Sequence, residues 1–158
     1  MAGGELLKEF YLLRGEAGDD LTSPTPLRTL VEAIAETSSF PPGTFVFHEG
    51  DVADAMYVVA HGSVDILIGE STVIATRHAG EEFGEMAFFD GGRRSASARA
   101  GKSCSLIRVP FDSLRAVLRD KPEAAALFYR NGAAFLTARL RQTSLDLQFE
   151  RDRNRSHL

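Results

Sequence analysis

The chain changes its hydrophobic period twice. In its first forty residues apolar side chains recur at helical spacing. Leu6, Leu7, Phe10 and Leu13 share one side of a short helix over 5–13, and Leu27, Leu30, Val31 and Ile34 share one side of a second. Thr25-Pro26 opens the second helix, a capping hydroxyl followed by proline at the first helical position. Residues 15–25 between them form a loop rich in Gly, Asp, Ser and Pro, and Pro41-Pro42-Gly43 stops any helix. From Thr44 to about Val109 short runs take over: TFVF, MYVVA, SVDILI, TVIATR, SASARA and SLIRV, divided by glycine-bearing or charged turns. Several alternate apolar and polar residues, as in Ser63 to Ile68. Evenly spaced short strands of this kind predict a sandwich or a rolled barrel. FGEMAFF interrupts the series and reads as a short helical turn. After Pro110 the period is helical again. PFDSLRAVL turns Leu114, Val117 and Leu118 inward, and Pro122-Glu123 starts a last helix to about Leu147, marked by Leu127, Phe128, Phe135, Ala138 and Leu145. The charged end ERDRNRSHL is expected to fray.

These periods predict an α+β fold: an antiparallel β-roll of the jelly-roll type, with helices before it and two helices after it. The 158 residues suit one domain with a real core. We divide them into an N-terminal helix and loop at 1–26, the domain at 27–150 (roll 44–109, C-terminal helices 110–147) and a tail at 151–158.

Composition narrows the function classes. A net charge of −4 does not suit a molecule built to coat nucleic acid or an anionic membrane. Arg139, Arg141, Arg151, Arg153 and Arg155 alternate with Asp146, Glu150 and Asp152, as on a solvated helix face, so no nucleic-acid contact is expected of this chain. One cysteine, Cys104, excludes a disulfide framework within one chain and reads as a small buried strand residue. Residues 1–15 lack the features of a signal peptide, and no apolar run approaches the ~20 residues that cross a bilayer. No membrane contact and a reducing cytoplasm are therefore expected. His48, His61, His78 and His157 are singletons, unlike the tight histidine pairs of metal-dependent barrel enzymes, and no nucleophile–base pair stands out. We expect neither metal nor catalysis.

One stretch is unlike the rest. FGEMAFFDGGRRSASA, residues 83–98, mixes an apolar run with Gly84-Glu85 near its start and Arg93-Arg94 near its end. Glycine lets a backbone approach a ligand, and a helix's first turn offers unpaired N–H groups to an anion. A guanidinium supplies the planar fork that suits phosphate oxygens. Ser95 and Ser97 add hydroxyls, while Ala96 and Ala98 keep the wall low. Glu85 repels phosphate, so its use there is to accept hydrogen bonds from sugar hydroxyls. The bland alternatives are a solvated arginine turn and a carboxylate at a helix start. Taken together the residues point to a nucleotide.

In this order the stretch resembles the phosphate-binding cassette of the cyclic-nucleotide-binding domain family. Gly43, Glu49-Gly50-Asp51 and Tyr57 to Val64 are similar to the first half of that family's β-roll, and residues 27–145 follow its element order. The resemblance implies that Glu85 binds the ribose 2′-hydroxyl and Arg94 the cyclic phosphate. Phe83, Gly84 and the N–H groups of Met86, Ala87, Ser95 and Ala96 would frame the sugar-phosphate, with Ser95 beside the base. It also implies that the last helix covers the base with Phe135 and Arg139, four residues apart on one face. Arg93 departs from the family's frequent proline. As the strand neighbour of Arg94 it is expected to point away. Phe88 and Phe89 replace smaller aliphatics and are expected to narrow the pocket. The function implied is a regulatory domain that senses cyclic AMP or cyclic GMP and moves its C-terminal helices. An effector domain or protein of unknown kind would receive the signal. Both nucleotides are expected to bind, with cyclic AMP the natural ligand of a bacterial member. The alternative is a roll that has lost its ligand and serves as an interaction module.

Overall fold

The computed structural model describes residues 10–13 and 25–155. Within them a single 3-10 turn, Tyr11–Leu13, stands where the first helix was expected, with Phe10, Leu12 and Leu13 buried; Leu6 and Leu7 lie outside the described residues. Helix α1, Pro26–Ile34, starts as its sequence predicts: the Thr25 hydroxyl accepts the Arg28 N–H at 3.1 Å, and Pro26 fills the first helical position.

Eight strands follow: β1 Glu36–Phe40, β2 Phe45–Phe47, β3 Ala55–His61, β4 Ser63–Ile68, β5 Thr72–His78, β6 Glu82–Phe83, β7 Ser97–Ala100 and β8 Cys104–Pro110. They form two four-stranded antiparallel sheets, ordered β1-β8-β3-β6 and β2-β7-β4-β5. The β-roll is thus the observed fold, with two strands the apolar pattern does not reveal. β1, ETSSF, is a mostly exposed edge strand held by backbone pairing to β8. β6 is two residues long. SASARA is a strand only from Ser97, so Arg93, Arg94 and Ser95 belong to the loop before it.

Alternation along β3 explains the layering. Ala55, Tyr57 and Val59 face the interior of the roll with Val64, Phe83, Ala98, Ala100, Cys104 and Leu106. Met56, Val58 and Ala60 face the other way, into a second core shared with the helices. That layer contains helix α2 (Met86–Asp90), α3 (Phe111–Asp120) and α4 (Pro122–Arg155). Leu114 and Leu118 of α3 are buried and Val117 half-buried, on the expected face. Phe88 and Phe89 do not line the cavity described below. They turn into the helical layer, ringed by Phe111, Phe128 and Tyr129 with centroids 5.3–6.4 Å apart. Gly132 makes room for this: a Cβ there would lie 2.6 Å from the Phe89 ring.

Helix α4 runs to Arg155 rather than ending near Leu147, so residues 151–155 of the expected tail are helical. From Leu140 onward every described residue is exposed, Ala138 and Leu145 also facing solvent. Arg153 pairs with Glu150, and Gln142 donates to Asp146. Local pairing of this kind sustains a helix with nothing to pack on. Cys104 is free and buried at the start of β8, where burial pushes its thiol pKa up.

Candidate functional site

The segment from β6 to β7 builds a pocket between the two sheets. β6 is pinned to β3 through the pairs Tyr57–Phe83 and Val58–Glu82. Gly84 then turns the chain with φ +78°, a conformation that glycine adopts at little cost. Glu85 leads into α2, which Gly91 closes in a left-handed cap, donating its N–H to Ala87 O at 3.0 Å. The loop beyond is clamped to the turn before β3: Arg94 N–H donates to Asp51 O at 2.9 Å, and Gly50 N–H donates to Arg94 O at 2.8 Å.

This clamp drives the Arg94 side chain inward. Its side chain is 3% exposed, and its guanidinium lies 3.9 Å from the Phe47 ring centroid and donates to Gly84 O at 2.8 Å and Ala55 O at 2.6 Å. Asp54 is 3.8 Å away. Gly84 is required for a second reason, since a Cβ there would stand 2.8 Å from Arg94 Nη1. The Arg94 Nε is shut off from solvent and has no hydrogen-bond partner. Burial lowers the Arg94 pKa, while Tyr57, Asp54, Asp51 and Glu85 act the other way. A buried cation with an unused donor favours an anionic ligand.

Glu85 is fully buried. Arg139 of α4 donates to its Oε1 at 2.6 Å and to Glu82 O at 3.0 Å, and Oε2 has no hydrogen-bond partner. The cavity, about 470 Å³ including its open mouth, is lined by nine of the expected residues: Phe83, Gly84, Glu85, Met86, Ala87, Arg94, Ser95, Ala96 and Arg139. Phe135 is not among them. It is a core residue, 5.6 Å from the Tyr11 ring, with the Arg139 guanidinium 4.4 Å above its own ring, and it lines only an adjoining cleft. Arg93 does not point away as expected, because it is not in a strand. It lies at the pocket wall and donates to Gly50 O at 3.1 Å.

Phe47, Ile66, Arg77 and Ser97 also line the pocket. Ser97 was noted as a hydroxyl, whereas Phe47, Ile66 and Arg77 read only as strand residues. The available signal was register. Arg77 is paired with Val64, a fully buried residue of the roll interior, and cross-strand partners face the same side. No group of three His, Cys, Asp or Glu side chains among the described residues is placed to hold a metal.

A buried cation and a buried carboxylate face one cavity of the roll, an arrangement whose charges suit a small polar anion. The family profile described as cyclic nucleotide-binding domain matches residues 37–121, and the chain belongs to that family. It is 38% identical over 123 residues to the cyclic AMP receptor protein of Thermus thermophilus, covering 73% of this chain and 55% of that one. It is 34% identical over 146 residues to the potassium voltage-gated channel unc-103 of Caenorhabditis elegans, covering 91% of this chain and 17% of the channel. The crystal structure of the Thermus thermophilus catabolite activator protein superposes with a TM-score of 0.68 at 31% identity, covering 88% of this chain and 62% of that one. The chain thus spans about half the length of the first of these relatives and a sixth of the second. One is a receptor protein and the other a channel.

Proposed function

We propose that this chain is the sensing module of a regulatory protein, that it binds cyclic AMP and cyclic GMP, and that it is not an enzyme. The cyclic phosphate pairs with Arg94 and the ribose 2′-hydroxyl donates to Glu85. One observation carries this reading: Arg94 Nε and Glu85 Oε2, a buried donor and a buried acceptor, both lack partners and belong to residues lining one cavity. Leaving such groups unpaired costs roughly 1–3 kcal/mol each, and a sugar-phosphate supplies both partners.

Ligand binding then bears on α4. Arg139 holds Glu85 through the oxygen next to the one the ribose would use. A ligand that changes the Glu85 contact shifts the population of α4 positions, and an effector domain or partner protein reads the shift. No described helix is long and apolar enough to cross a membrane. The free buried thiol of Cys104 suits a reducing cytoplasm, where we place the module.

Calorimetric titration with cyclic AMP, its 2′-deoxy analogue and 5′-AMP tests the reading. Cyclic AMP is expected to bind, the 2′-deoxy analogue about tenfold more weakly for loss of a hydrogen bond to a charged group, and 5′-AMP more weakly still. The cyclic phosphate should be recovered unhydrolysed. Silence towards cyclic AMP and cyclic GMP alike would leave the roll as an interaction module.

A further inference from the structure

The sulfur atoms of the described residues differ in what can reach them. Cys104 is 3% exposed, and burial pushes its thiol pKa up, so little of the reactive thiolate forms. Met56 is fully buried in the core shared with the helices. Met86 is 48% exposed. It opens helix α2 and lines the cavity, where the Ser95 hydroxyl donates to its Sδ at 3.7 Å. The next two residues of the helix, Ala87 and Phe88, are buried. They anchor the backbone and hold the thioether at the cavity mouth.

Exposure decides which of these sulfurs a hydroperoxide meets first. A lone pair of Met86 Sδ attacks one peroxide oxygen. The S–O bond forms as the O–O bond breaks, the departing hydroxide takes the proton carried by the transferred oxygen, and water leaves. Sulfur gives up two electrons and the peroxide takes them. The product is methionine sulfoxide, a polar side chain whose oxygen accepts hydrogen bonds far better than the thioether does. Ser95 already donates to this sulfur, so its hydroxyl is placed to bond the new oxygen. On the reading proposed above, on which this consequence rests, an anionic nucleotide shares the cavity with both side chains. The sulfoxide draws the Ser95 hydroxyl away from that ligand and sets a partly negative oxygen beside it.

We propose that Met86 is a site of reversible oxidation by hydroperoxide, and that its sulfoxide lowers the affinity of the cavity for cyclic nucleotide. The module then answers to two signals at one place, a nucleotide and an oxidant. A methionine sulfoxide reductase, which returns the thioether, resets it.

The test treats the 158-residue protein with hydrogen peroxide and follows it by peptide mass spectrometry and by calorimetry with cyclic AMP and cyclic GMP. An added oxygen is expected on the peptide that holds Met86 while those holding Met56 and Cys104 are still unchanged. The oxidised protein should bind the nucleotides about tenfold more weakly, and reductase treatment should restore the first affinity. Met86→Leu is compared only with itself: its affinity, whatever the starting value, should change less than about twofold on the same treatment. Saturating nucleotide should slow the oxidation of Met86, since it fills the cavity that the thioether lines. Oxidation of Met56 or Cys104 before Met86, or an equal loss of affinity in treated Met86→Leu, overturns the site. Oxidation at Met86 with affinity unchanged overturns the switch while leaving the nucleotide reading standing. Untreated protein that binds neither nucleotide removes the nucleotide reading itself and the affinity switch with it.

Discussion

The two ends of the pocket are built on different principles. At the Arg94 end the side chain is 3% exposed, spans two backbone carbonyls, stacks on Phe47, and is carried by a loop bonded in both directions to the turn before β3. Its hydrogen-bond partners all belong to the roll or its turns. At the other end Arg139 comes from α4. The Arg139 side chain is 32% exposed, and its contacts join a helix to a sheet. The first end is organised before any ligand arrives. At the second, side-chain hydrogen bonds from α4 reach Glu85 and Glu82 O, and a proposed response would act through them.

The comparison breaks most readily at Arg94. Arg94→Ala should weaken cyclic nucleotide binding about thirty-fold to several thousand-fold, as loss of a buried charged partner does. Calorimetry reads the loss, and a change below about fivefold would mean that the organised end is not where the phosphate sits. Next comes Gly84→Ala, which strains a left-handed backbone and pushes a methyl into the guanidinium. A loss of about tenfold is expected, together with roughly 1–2 kcal/mol of stability in a denaturant melt. Arg139→Ala sharpens the contrast from the other side. We expect about fivefold, seen in the dissociation rate by stopped flow, because Arg139 acts on the ligand only through Glu85 and its side chain is partly exposed. Smallest is Arg93→Ala, under about threefold, since an exposed guanidinium bonded to one backbone carbonyl is worth little. Should Arg93→Ala cost as much as Arg94→Ala, the two ends would not differ in the way described.

Much of this was legible in the chain itself, and the losses have physical causes. Glu85 and Arg94 stood out because a carboxylate and a guanidinium in an apolar, glycine-marked segment conflict with core packing unless a ligand uses them. The central strands were visible because alternation records burial. β1 escaped because an edge strand of Glu, Thr and Ser needs only backbone partners. Arg77 escaped because TVIATR reads equally well in either orientation. Only its pairing with buried Val64 turns the charge inward, and pairing is a property of two strands. Phe135 was misplaced because helical spacing puts it beside Arg139 on one face. It does not say which of the two reaches the cavity and which lies beneath its neighbour. The far half of α4 was read as frayed, since burial ends at Arg139, but local hydrogen bonds and ion pairs keep it helical to Arg155.

The gap at Gly132 sets which movements α4 is free to make. Phe89 fills the space where a methyl would stand, so a slide of α4 by one residue brings Asn131 or Ala133, each with a Cβ, against the ring. Translation along the axis is thereby obstructed in both directions. Tilting is not, because the ring can act as a fulcrum against bare backbone, and glycine is the residue whose backbone bends at least cost. Gly132 lies near the first third of α4, so a tilt about it would carry Arg155 further than Arg139.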